Sequence, residues 1–199
     1  DARALDLAAD EPFADAHVVF DAPRVDLANA RILNRYIPAA TTPVEIVEGS
    51  AHAAVHVEAW PHDHHAAGYA SLEAPSLDLR VAKMRMRGAF GVNGSFGASR
   101  WDDKTLEDAR AHLHVSHVSF ASSRTPDRTM LTATDLALDL RAKRVALDDP
   151  LRDIDDASFD MPAAKIVDRG MLRQYLPRGN KLSVASLGDQ TAFAVTGHL

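Results

Sequence analysis

The chain has 199 residues, enough for one sizeable domain or two small ones. Its 46% hydrophobic and 25% charged content is that of an ordinary globular protein and excludes a disordered one. A net charge of −6 argues against nucleic acid as a partner, and the lack of cysteine removes disulfides, thiolate nucleophiles and Cys-based zinc sites. No apolar run approaches the roughly 18 residues of a membrane-spanning helix. Asp1 in place of Met leads us to expect a processed or trimmed piece of a longer chain.

The first predicted element is a strand ending at Phe20, followed through Pro23 by a short helix. Asp26 is its expected N-cap, Leu27, Ala30, Leu33 and Ile37 share one face, and Pro38 stops it. From there the hydrophobic period changes to two. Ala53, Val55, Val57 and Ala59 alternate with His52, Ala54, His56 and Glu58. His62-Asp63-His64-His65 follows, bracketed by Pro61 and Gly68 as at a hairpin tip. Leu77, Leu79 and Val81 share one parity; Met84, Met86, Phe90, Val92 and Phe96 share the next, after a slip that predicts a turn. Asn93-Gly94 is the strongest hairpin-turn signal of the chain and is expected to reverse it. Leu136, Leu138 and Leu140 alternate with Asp139 and Arg141, and parity slips between Val115 and Val118 and before Val145 predict bulges or turns.

Shifting the chain by 139 residues lays Phe20-Asp21-Ala22-Pro23 on Phe159-Asp160-Met161-Pro162. The same shift lays Leu33, Tyr36 and Pro38 on Leu172, Tyr175 and Pro177, and Gly49 and Ala53 on Gly188 and Ala192. Positions 20–53 thereby gain eight identities in 34 gapless places, where chance supplies roughly two at a background of about 6% per position. We expect a single β-rich module, 1–199, holding about one and a half copies of a 139-residue repeat whose second copy begins near 156. Its second helix would run from Lys165 to Leu176, weakened by Gly170. The fold class expected is mainly β: an antiparallel amphipathic sheet, as a groove, a sandwich or an open barrel, with one short helix per repeat. A sheet wet on one side must cover the other.

Chemistry-bearing residues are few. His62, His64 and His65 supply enough donors for zinc, copper or nickel, but His64 and His65 would point to opposite sides of a strand, and a solvated loop tip explains them more simply. His112, His114 and His117, like His52 and His56, read as polar-face strand residues. The acidic run Asp148, Asp149, Asp153, Asp155 and Asp156 lacks the spacing that aims calcium ligands and reads as a charged connector. Arg80, Lys83, Arg85 and Arg87 form a short cationic strand face, either solvated or the edge of a groove touching lipid headgroups. No phosphate-binding glycine loop or nucleophile motif is present, and neither an enzyme nor a cofactor is expected.

The segment Leu33-Asn34-Arg35-Tyr36-Ile37-Pro38, with the Gly-led amphipathic strand at 49–59, resembles the repeats of AsmA-like bacterial envelope proteins, the AsmA, TamB and YdbH group. The stretches 72–79 and 136–140 fit the same pattern. The resemblance implies a long twisted β-groove with an apolar lining, a periplasmic location in the cell envelope, and carriage of phospholipid between membranes in outer-membrane biogenesis. It carries no catalytic residues. As a family of membrane-anchored proteins, it would make this chain a periplasmic fragment or a soluble relative. Leu77, Leu79, Val81, Met84, Met86, Phe90, Leu136, Leu138 and Leu140 would then line the face that takes phospholipid or another apolar ligand. A closed core explains the same alternation. Two other readings stay open: a structural or adhesive surface repeat that stacks on adjacent repeats or other envelope proteins, and a metal carrier or metalloenzyme built on His62, His64 and His65.

Overall fold

The computed structural model describes residues 16–37, 43–100, 103–147, 152–168, 170 and 192–198. Its strands are β1 (Val18–Leu27), β2 (Val44–Trp60), β3 (His65–Val81), β4 (Met84–Arg100), β5 (Thr105–Ser122), β6 (Thr125–Ala146), β7 (Asp156–Ile166) and β8 (Ala192–His198). They form one eight-stranded antiparallel sheet in sequential order, each strand paired to the next. The fold is mainly β. A short 3-10 helix, Ala30–Arg35, follows β1, and Gly170 is helical.

The reversals follow from local backbone chemistry. The β2–β3 loop 61–64 closes with bonds from Asp63 N–H to Trp60 C=O (3.1 Å) and from His64 N–H to Pro61 C=O (3.3 Å), His64 taking a positive φ of 51°. The β3–β4 reversal at Ala82-Lys83 puts Ala82 at φ 54° and falls on the parity slip between Val81 and Met84. The slip after Val115 is a bulge at His117, φ 53°, where β5 advances three residues while β4 advances two. Gly49, at φ 131°, sits where an added Cβ would lie 2.5 Å from the Ser76 carbonyl oxygen, so β2 and β3 close up only around a glycine there.

Three expectations need correction. Asn93-Gly94 makes no turn: it lies inside β4, Asn93 opposite Ser71 and His112, Gly94 opposite Ala70 and Ala111. Pairing on both sides outweighs a two-residue turn preference. Asp26 caps no helix, because β1 continues past Phe20 to Leu27, which pairs with Ala51. The cap is Asn29, whose side chain accepts from the Arg31 N–H at 3.0 Å. Lys165 and Ile166 are the last residues of β7, so the second helix does not start at Lys165; Gly170 is helical, and residues 171–176 lie outside the described ones.

Both F-D-x-P segments are bulged strands. Between Ala22 and Val25 β1 advances three residues while β2 advances two, and between Met161 and Ala164 β7 does the same against β8. Pro23 and Pro162 sit in these bulges, where a missing N–H costs the ladder nothing.

Directly opposed residues in an antiparallel sheet share a face, so the register sorts the side chains into rows. One row runs Ile46, Leu79, Met86, Phe120, Leu131, Ile166 across β2–β7. Leu77, Val118 and Ala133 come next, and a further row holds Ala74, Phe90, Val115 and Leu136. All of these except Phe120 are buried, and they join one apolar cluster. The 3-10 helix packs on this end of the face: Ala30 is buried, with Leu27, Leu33 and Ile37 against the cluster. Asn34 anchors it, its Nδ2 donating to the Ile46 carbonyl and its Oδ1 accepting from the Ile46 N–H, both at 2.8 Å. Ile46 lies beyond the end of β1, so Asn34 supplies the backbone partner that a neighbouring strand would otherwise provide.

Candidate functional site

All nine residues expected to line an apolar face lie on one face of the sheet. Leu79 faces Met86 and Val81 faces Met84, while Phe90, Val115 and Leu136 fall in register. Leu138 and Leu140 continue that face along β6. Their surroundings differ. Leu77, Leu79, Met86, Phe90 and Leu136 are buried; Val81, Met84, Leu138 and Leu140 are only half-buried.

Of the half-buried members, Leu138 and Leu140 lie in the middle part of β6, whereas Val81 and Met84 flank the β3–β4 reversal. A fourth row runs Val25, Ala53, Leu72, Val92, Leu113, Leu138, Phe159. All but Val25 are half-buried, and Val25 is 40% exposed. The fifth row is Ala22, Val55, Ala70, Gly94, Ala111, Leu140, Ala157, mostly small side chains. A Cβ placed on Gly94 would meet nothing nearer than the Arg110 carbonyl oxygen at 3.9 Å. At the far end of the strands Ala66, Ser99 and Val145 are buried again. Between the buried rows and this far end the apolar face is shallow. Leu72, Leu113 and Phe159 belong to this middle and were not among the expected lining residues. Their signal was parity: Leu113 alternates with His112 and His114 as Leu138 does with Asp139.

The opposite face carries the polar chemistry. His112 Nδ1 lies 2.7 Å from Asp139 and His114 Nε2 lies 3.2 Å from Asp135, cross-strand pairs between β5 and β6. On β1 and β2, His52 Nδ1 is 2.5 Å from Asp26, and His56 reaches Glu58 at 3.1 Å and Asp21 at 3.4 Å. The bond to Glu58, then that to Asp21, raises the His56 pKa above its ordinary 6.5 despite the opposing effect of burial. The bond from His56 lowers Glu58 in return. His17, just ahead of β1, stacks on Trp60 of β2, which stacks on His65 of β3, with ring centroids 4.9 and 4.6 Å apart. His52, His56, His112 and His114 are strand residues of a wet face, as their alternation predicts.

The cationic strand is neutralised on the same polar face. Asp78 accepts from Arg85 Nε at 2.6 Å and from Arg87 Nε at 2.7 Å, with Arg85 Nη2 on its second oxygen, while Arg80 pairs with Glu45. Burial pushes the Asp78 carboxyl up, but the hydrogen bonds and charges of Arg85 and Arg87 together outweigh it and hold it below 3.8.

His62, Asp63, His64 and His65 line an open cavity of about 640 Å³ with Ala98, Ser99, Asp103 and Glu107. His62 and His64 are exposed at the loop tip, while His65 stacks on Trp60. Among the described residues no three His, Asp or Glu side chains are placed to hold a metal ion. No helix among them is long and apolar enough to cross a membrane. Asp155, from the acidic run, is a connector residue whose N–H donates to the Arg141 carbonyl at 3.0 Å; Asp148 and Asp149 lie outside the described residues. Comparison with known proteins returns no match to this chain among family models, curated proteins or solved structures.

Proposed function

We propose that this chain is a noncatalytic module of a bacterial envelope protein that holds or conveys lipid along the apolar face of its sheet. The observation that carries the reading is the change of burial along the strands: three tightly buried rows near the 3-10 helix, then two half-open rows, the second built of small side chains. A core that had only to be closed would be filled with large side chains throughout, because voids in a protein interior cost stability. Here a shallow apolar strip crosses seven strands, and six interstrand steps of about 4.8 Å make it roughly 29 Å long. That length suits acyl chains lying across the strands, one leaflet of hydrocarbon being about 15 Å thick. Phospholipid is the proposed ligand, in keeping with the resemblance to AsmA-like proteins, and the periplasm the proposed location.

The test is mass spectrometry of the purified chain under native conditions and again after organic extraction. Phospholipid at a near-stoichiometric ratio, lost on extraction, supports the groove. A single mass at the sequence weight with no lipid moves the reading to a structural repeat, for which the exposed apolar residues of β1 are the favouring observation.

A further inference from the structure

The strand that opens the sheet has one free edge, and among the described residues nothing pairs with it. It also concentrates exposed apolar side chains: Val18, Val19, Phe20 and Val25 are each 40–59% exposed, and the first three are consecutive. Native edges are ordinarily protected by lysine, by inward charges or by brevity. β1 has ten residues and no lysine; Pro23, Arg24 and the bulge between Ala22 and Val25 protect its second half, but the first half, Val18–Ala22, has only Asp21. It is an edge left fit for pairing.

The fold itself contains the matching partner. β7 carries the same Phe-Asp-x-Pro sequence and the same three-against-two bulge toward its following strand. On its other edge β7 is not free but paired with β6, Leu138 facing Phe159 and Ala137 facing Asp160. Phe20 and Asp21 are the counterparts of Phe159 and Asp160. We propose that the free edge of β1 is a docking site for a β6-type strand of another repeat unit, a long extended segment with aliphatic residues on alternate positions. The register is fixed by the counterpart pairing: the residue equivalent to Leu138 faces Phe20, and that equivalent to Ala137 faces Asp21. The partner's equivalents of Leu138 and Leu140 then extend the apolar rows past β1 and cover Phe20 and Val18, while on the other face those of Asp139 and Ala137 meet Val19 and Asp21. A β8 edge from a second copy is the weaker occupant, because β8 has only seven residues and follows a bulged strand instead of preceding one. This inference does not depend on the lipid reading.

The probe is a synthetic peptide of residues 129–143 added to the full chain. The chain contains no cysteine, so Phe20→Cys gives a unique thiol, and Phe20 is exposed enough to be replaced without opening the core. Peptides with a single cysteine at position 136, 138 or 140 are offered in turn in a glutathione redox buffer. The position-138 peptide should cross-link several-fold faster than the other two, because a disulfide needs Cα atoms within about 7 Å. In the unsubstituted chain the same peptide should slow amide exchange in Val18–Leu27 by about tenfold. No cross-link, equal cross-linking from all three positions, or protection that falls on β7 or β8 instead of β1 overturns the proposal. Loss of bound lipid leaves this result unmoved, so failure of one reading is distinguishable from failure of the other.

Discussion

Asp78 is the residue at which the polar face is most tightly bound. Its side chain is 11% exposed, that of Arg85 16%, and its two oxygens take bonds from two guanidinium groups. Removing the carboxylate leaves Arg85 with no partner at that position in a desolvated pocket, which is costlier than losing a surface pair. Asp78→Ala should lower unfolding stability by about 2 kcal/mol at neutral pH, read from urea denaturation. The sign with pH follows from the lowered pKa: the stabilisation is complete above 3.8, the value of the unfolded chain, and is lost as pH falls through the depressed folded value. The gap between the native chain and Asp78→Asn should therefore narrow at pH 3. His56 behaves oppositely. Its raised pKa gives stabilisation that is full below 6.5 and fades as pH rises through the folded value. In an NMR titration Glu58→Gln should bring the His56 midpoint down toward 6.5; an unchanged midpoint would mean that Asp21 alone holds the proton.

At the scale of elements, the strands with one wet and one dry face were legible because alternation reports the side on which a residue lies. Leu136-Ala137-Leu138-Asp139-Leu140 could be read from the chain, and so could the breaks at Ala82-Lys83 and His117. Asn93-Gly94 misled because turn chemistry is a two-residue preference, whereas pairing with β3 and β5 is a property of the whole strand. The correcting signal was present: Val92, Gly94 and Phe96 keep one parity straight through the dipeptide. The distinction has a direct test. Gly94→Val would wreck a hairpin turn that needs positive φ, but in mid-β4 it adds a strand-favouring side chain with open space above it, so the urea midpoint should stay within about 1 kcal/mol of native or rise. The 3-10 helix was legible only in part. Its apolar positions could be read from the sequence, but its start depends on β1 pairing as far as Ala51, which only the assembled sheet determines. Its anchor is one side chain. Asn34→Ala removes both bonds to Ile46 and should cost about 2 kcal/mol, with faster amide exchange at Ile46 and its β2 neighbours than elsewhere in the sheet.

Across the whole molecule, parity alone could not separate a closed core from an open groove, because alternation reports the side of the sheet and not what covers it. The rows show a gradient of burial along the strands. Leu131 belongs to the row beside the 3-10 helix, joins the buried cluster and faces Phe120 and Ile166; Leu138, seven residues along the same strand, faces Leu113 and Phe159 in a half-buried row. The two share residue type, strand and face, so a charge placed at each compares the two environments with little else changed. A carboxylate among the close-packed neighbours of Leu131 has no partner and must be desolvated or protonated, and Leu131→Asp should unfold the chain or cost more than about 3 kcal/mol. At Leu138 the same carboxylate reaches water. Leu138→Asp should leave the circular dichroism spectrum and the urea transition intact at a cost of about 1–2 kcal/mol, while abolishing any co-purifying lipid. Equal destabilisation at both positions would make the whole face a closed core. A stable Leu138→Asp that still carries lipid would place the ligand elsewhere than on the middle rows.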